Sequence, residues 1–214
     1  MNLTTDFFSD PTRLAPRRTV RTNLPGGGFT LQHPEPLAPY ARCVGEWLEH
    51  WARETPESIA FAEPNTAAAS AASSAWSTLT WAGLRARVGA VAQSLLDLKL
   101  APGRPIVVLS DNSLEHLVLM LACMHIGRPV CTVSSAYCRL SQDYAKIREI
   151  VQMLDPALVY ASDAKVYGPA IRACLSQGAL AGVVVLGQGA GEVPGAFSYS
   201  ALAGMVEGPG VMQA

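Results

Sequence analysis

The polar side chains best placed for chemistry follow the apolar run Ile106 to Leu109: Ser110, Asp111, Asn112 and Ser113. In open parallel sheets ligands sit beyond the carboxyl ends of the strands, so this turn is the first to weigh. A phosphate bound at such a turn needs backbone N–H groups approached closely, which favours glycine, and this turn contains none. Asn112 and Glu115 instead have the spacing of a helix-capping pair, worth about 1 kcal/mol. A second cluster, Gly187-Gln188-Gly189-Ala190-Gly191-Glu192, has the outline of a dinucleotide loop but carries glutamate at its sixth position. Val193-Pro194-Gly195 cannot then open the helix whose N-terminus would hold a pyrophosphate.

The remaining reactive residue types do not group by spacing. His33, His50, His116 and His125 fall on the N-terminal arm and on three different helical faces. Cys123 and His125 are two apart on one helix and diverge, which is wrong for a thiol and its base. Asp143, Tyr144 and Lys146 read as the solvated side of an amphipathic helix. No catalytic, cofactor-binding or metal-binding residue is therefore assigned from residue types and spacing.

Positioning elements are easier to read. Thr19 to Thr22 and Phe29 to Gln32 flank Pro25-Gly26-Gly27-Gly28 as in a hairpin. Pro34, Pro36 and Pro39 keep the chain extended until a helix near Tyr40, with Val44, Trp47, Leu48 and Trp51 on one face. Strands at 59–62 and 76–79 enclose NTAAASAASSA (65–75), read as a surface loop. Trp81, Leu84, Val88, Val91, Leu95 and Leu98 repeat at three and four residues and form one helical packing stripe. Strands at 106–109, 130–133, 158–161 and 183–186 then alternate with helices at 113–125, 142–154 and 164–175. The β-α-β-α-β-α-β order predicts an α/β fold, a parallel sheet with helices on both faces, preceded by a hairpin and helix. Residues 1–40 are expected to form an arm and 41–214 the α/β portion.

Composition narrows the functional classes. With 214 residues, half of them hydrophobic, the chain is long enough to bury a substantial core. Charged residues are 15% and the net charge is −1, so no global field points to nucleic acid or an anionic membrane surface. The five cysteines (Cys43, Cys123, Cys131, Cys138, Cys174) contain no C-x-x-C pair and read as reduced thiols of a cytoplasmic protein. Cys123 and Cys131 lie in apolar runs and are expected to react slowly, Cys43 or Cys138 faster. The start MNLTTDFFSD lacks the charge and hydropathy order of a secretory signal, and the longest apolar run, Leu117 to Met124, is too short to span a membrane.

The stretches LTWAGL (79–84), PIVVLSDNSLEHLVLMLACMHIGRPVCTVSSAY (105–137) and LSQDYAKIREIVQMLDPALVYA (140–161) resemble the opening part of the large domain of adenylate-forming acid–CoA ligases. SSAYCRLSQDY (134–144) and PLAPYARCVGEWLEHWA (36–52) are similar to the feruloyl-CoA synthetase-like branch, and the resemblance covers most of residues 15–205. It implies an incomplete part of the ligase large domain, truncated before the phosphate loop, since no position matches the family's phosphate-loop lysine, magnesium glutamate, ribose aspartate or C-terminal-domain lysine. Gly83 stands where the family usually has glutamate, which weakens a capping box on Thr80. ATP, Mg and CoA are thus implied for the full-length parent but not for this chain. The implied partners are the remainder of the ligase chain and a small aromatic carboxylic acid. Two alternatives stay open: a non-catalytic partner-binding or regulatory module with the same fold, or a piece of an amino-acid adenylation module.

Overall fold

Strand β1 (Val20–Asn23) pairs antiparallel with β2 (Phe29–Gln32), as the glycine-rich turn between them predicts. Gly26 and Gly27 have φ of 94° and 92°, which side-chain-bearing residues rarely adopt, and Leu24 N–H donates to Gly28 O at 2.7 Å. The structure, a computed structural model, describes residues 18–65 and 75–211. The start MNLTTDFFSD and most of the proposed 65–75 loop lie outside the described residues. The chain divides into a compact unit ending at Ala41 and another beginning at Arg42.

The second unit opens with α1 (Val44–Glu54), which starts later than the expected Tyr40. Cys43 is still extended, at φ −151° and ψ 167°, and Glu46 reaches back to accept from Arg42 N–H at 2.9 Å. That reach fixes the first turn four residues on. Of the four residues expected on one face, Leu48 is buried while Val44, Trp47 and Trp51 remain exposed. Strands β3 (Ile59–Pro64) and β4 (Trp76–Thr80) form an antiparallel pair that leads into α2 (Trp81–Asp97). Thr80 caps α2 by accepting from Gly83 N–H at 3.1 Å, so the cap survives without the glutamate.

The main sheet is built from β5 (Ile106–Leu109), β6 (Val130–Val133), β7 (Leu158–Asp163) and β8 (Val183–Gln188), all parallel as the sequence predicts. A fifth parallel strand, β9 (Phe197–Ser198), joins the β8 edge and was not legible in two residues. The spatial order is β6-β5-β7-β8-β9, so the chain reverses direction across the sheet after β6. Right-handed crossovers on either side of such a reversal must lie on opposite faces.

The helices obey this rule. One face carries α1, α2, α3 (Leu114–His125) and α7 (Tyr199–Ala203) over Ile106, Val108, Leu158, Tyr160 and Val185. The other carries α4 (Ala136–Arg139), α5 (Ala145–Leu154) and α6 (Ala164–Ser176) over Val107, Leu109, Val159, Ala161 and Leu186. Alternate residues of each strand thus enter different cores, which is why these strands read as unbroken apolar runs.

Two local readings need correction. Helix α5 begins at Ala145 rather than Gln142, because Ser141 Oγ accepts from Tyr144 N–H at 3.0 Å and Asp143 Oδ1 from Ala145 N–H at 3.1 Å. These side-chain bonds hold a turn ahead of the helix, with Tyr144 at φ 55°, so Tyr144 is not on a solvated helical face. The short α4 folds Cys138 inward to 3% exposure, whereas Cys131 is half-buried and Cys43 exposed. Burial pushes the Cys138 thiol up to about 12 and Cys123 likewise to about 12, so Cys138 belongs with the slow thiols.

Candidate functional site

A β6-β5-β7 order places a reversal point beside β5, so the carboxyl ends of these strands form the crevice where an α/β sheet takes a ligand. A cleft of about 560 Å³ lies there, lined by Ser110, Asp111, Asn112, His116 and residues 132–135 at the end of β6. It adjoins a second, more apolar cleft of about 560 Å³ between β3 and α3, lined by Phe61, Glu63, Leu114, Leu117 and Met120, with Asn112, His116 and Thr132 common to both.

Ser110, Asp111 and Ser113 of the turn after β5 each make a hydrogen bond within the protein. Ser110 Oγ donates to Asp111 O at 2.6 Å. Ser113, not Asn112, caps α3, accepting from His116 N–H at 3.1 Å. Leu114 N–H is taken by Glu63 Oε2 of β3 at 2.8 Å, so a distant carboxylate fills part of the helix N-terminus that a phosphate would use. Glu115 does not return to the cap: it accepts from the Tyr160 hydroxyl at 2.7 Å. Asp111 Oδ2 accepts from Arg139 Nη1 at 2.7 Å, with both side chains more than half exposed.

Electrostatics at these strand ends lean negative. Burial, then the nearby Glu115 carboxylate, pushes the Tyr160 hydroxyl far above the ordinary phenol range. Burial followed by Asp111 raises Tyr167 as well. Of the carboxylates here, Asp111 is paired with the Arg139 guanidinium, while Glu63 accepts from Leu114 N–H and Glu115 from the Tyr160 hydroxyl. This donor set does not fit a magnesium–triphosphate group, which calls for converging N–H donors and cations. Among the described residues, no group of three or more His, Cys, Asp or Glu side chains is arranged to hold a metal ion.

The glycine cluster after β8 has a structural explanation. A Cβ on Gly187 would lie 2.5 Å from Ser162 O and 2.8 Å from Glu115 Oε2, so glycine lets β8 close on the end of β7. Gly189 turns the chain at φ 71°, and only the three-residue 3-10 turn Ala190–Glu192 follows.

Sequence reasoning missed a charged cluster on the α1–α2–α3 face. Arg85 of α2 donates from Nη1 and Nη2 to Glu207 at 2.6 and 2.9 Å, and its Nε meets Glu49 of α1. His125 Nε2, at the end of α3, lies 3.7 Å from the same Glu49 oxygen. The hydrogen bonds to Glu207 hold Arg85 above its usual range and Glu207 below the usual carboxylate range. Gly208 N–H donates to Gln93 Oε1 at 3.0 Å and Val211 is buried, so the segment after α7 is strapped across α2. These partners are far apart in sequence, and no local spacing announces them.

The fold has many solved counterparts. A protein described as a long-chain fatty acid CoA ligase from Rhodopseudomonas palustris matches with TM-score 0.58 and 21% identity, over 75% of this chain and 36% of that one. Coronafacic acid ligase from Pectobacterium brasiliense gives 0.62 and 12% identity, over 78% and 30%. A fatty acyl CoA synthetase from Mycobacterium tuberculosis gives 0.57 and 18% identity, over 77% and 28%. The chain therefore spans about a third of the length of these solved relatives. No curated protein sequence gives a significant match. The family description "AMP-binding enzyme" matches residues 48–194, which run from α1 through the last helix-flanked strands and take in more than half of the chain. By that match and by the sheet that carries it, the chain belongs to the family of AMP-binding enzymes.

Proposed function

We propose that this chain is the N-terminal part of an ATP-dependent acid–CoA ligase that activates a carboxylic acid as an acyl-adenylate and passes the acyl group to the CoA thiol. The observation that carries the reading is the family match across 48–194, coincident with the parallel β5–β8 sheet and its helices. The acid is a small aromatic one of feruloyl type, supported by the SSAYCRLSQDY and PLAPYARCVGEWLEHWA stretches. The enzyme works in the cytoplasm, a placement supported by five cysteines without a disulfide and by the lack, among the described residues, of a helix long and apolar enough to cross a membrane.

In this reading the chain supplies a frame. Attack of a carboxylate on an α-phosphate builds negative charge that cations and fixed N–H donors must meet. The strand ends here present Asp111 and Glu115 instead, so the groups that bind ATP, magnesium and CoA come from outside these residues, and the 214-residue chain alone does not turn over. Acid-dependent exchange of pyrophosphate into ATP tests both halves. The longer ligase is expected to exchange with hydroxycinnamates and benzoates, and the isolated chain with none. Exchange by the longer protein with fatty acids alone would overturn the aromatic assignment, and exchange by the isolated chain would overturn the division of labour.

A further inference from the structure

Cys43 is the exposed member of the five cysteines, and it sits at the N-cap of α1 with its side chain making no capping hydrogen bond. Beside it, His125 is nine-tenths buried, with a side-chain exposure of 9%, and its Nδ1 has no hydrogen-bond partner. Both reach the same spot: a Cβ on Gly45 would lie 3.1 Å from His125 Nδ1 and 3.6 Å from Cys43 Sγ. The spot opens into a pocket of about 350 Å³, which Arg42, Glu46, His50 and Arg53 also line.

The arrangement has the parts of an activated nucleophile. Glu49 faces Nε2 of His125 and favours the tautomer with its proton there, leaving an acceptor lone pair on Nδ1. A thiol S–H is a donor of the right kind to meet it. The pocket mouth also carries charges of both signs, with Arg42 and Arg53 beside Glu46. We propose that Cys43 and His125, oriented by Glu49, form a reactive-thiol site that accepts small amino-acid-like disulfides as reversible mixed disulfides. The Cys43 S–H proton passes to His125 Nδ1 and the sulfur attacks one sulfur of the incoming disulfide. A new S–S bond forms as the old one breaks, and the departing thiolate takes up the proton. Behind His125, Arg85 from α2 joins Glu49 to Glu207 of the strap, and at the pocket mouth Arg42 and Arg53 stand beside Glu46, so the imidazolium formed during transfer is met first by the facing Glu49 carboxylate.

Oxidised glutathione serves as the probe, with adduct formation followed by intact mass and located by peptide mapping. A single adduct on Cys43, removed by a reducing thiol, is expected to form faster in the folded chain than at the same cysteine in the urea-unfolded chain. His125→Gln removes the base, and Gly45→Ala puts a methyl beside both thiol and imidazole; each is expected to slow the reaction, by about a hundredfold where the base is lost. Circular dichroism of both variants verifies their fold. A folded-chain rate no higher than the unfolded rate overturns the proposal even where the variants misfold. So does a folded His125→Gln variant that reacts as fast as the parent, which would leave Cys43 merely an exposed thiol.

Discussion

The two faces of the sheet are closed by different means. Over β5 and β7, the α4–α5–α6 face is sealed by apolar side chains with buried sulfur among them, Cys138 and Cys174 beside Ile147, Val151 and Ile171. The α1–α2–α3–α7 face has an apolar centre of similar depth around Leu84, Val88 and Leu119, but its rim is tied by Arg85 between Glu49 and Glu207. The first face joins segments that follow one another along the chain. The second brings residues 49 and 207 onto residue 85, and a directional bidentate pair sets that long-range register more sharply than contact between similar aliphatic surfaces. Apolar packing thus closes local elements, and charge fixes where distant ones dock.

The largest expected effect treats the faces as equals. Leu84→Ala on one and Ile147→Ala on the other should each cost about 3 kcal/mol in urea unfolding, because both side chains are fully buried. A loss below about 1 kcal/mol at either would show that its helix is not part of a common core.

Arg85→Met separates the faces. It strands Glu49 and Glu207 against each other, and with these groups a quarter to a third exposed the cost is about 2 kcal/mol. Proteolysis should then cut the 205–211 strap while the α5–α6 side stays protected. Equal protection of both would contradict the assignment of the strap to this ion pair.

Tyr160→Phe is a smaller probe of the strand ends. It removes the hydroxyl bonded to Glu115 at 2.7 Å and should cost about 1 kcal/mol, with the ring contact to Tyr199 kept. A neutral result would mean that solvent replaces the bond.

The smallest effect is a pH trend. Arg85 holds the Glu207 carboxyl below its ordinary value of 4.5, so this contribution is fully present above that value and is lost as pH falls through the depressed one. The melting temperature of the parent chain should drop more steeply on acidification below about pH 4.5 than that of Arg85→Met. Identical acid limbs would remove Glu207 from the account.

The main sheet was legible because its strands are unbroken apolar runs and its helices carry stripes at three and four residues. What escaped was decided by single side chains or by distance. Ser113 rather than Asn112 caps α3 because the helix starts at Leu114, which leaves Ser113 as the extended residue whose Oγ meets His116 N–H, while Glu63, distant in sequence, takes the Leu114 N–H. Cys138 is buried by a four-residue helix too short to leave a period. The approach of His125 and Cys43 to one spot at Gly45 was hidden because the cysteine nearer in sequence, Cys123, lies on the same helix and points elsewhere, whereas Cys43 arrives from the start of another. The turn after β5 was read in outline only: the expected cap is there, but Ser113 makes it and Glu115 turns to Tyr160 instead.

The central claim is that these residues frame an AMP-binding enzyme without holding its nucleotide. Isothermal titration of the 214-residue chain with ATP–Mg²⁺ tests it most directly. The account predicts no saturable heat up to millimolar nucleotide; a saturable site tighter than about 0.1 mM, equivalent to roughly 5 kcal/mol of binding, would contradict it.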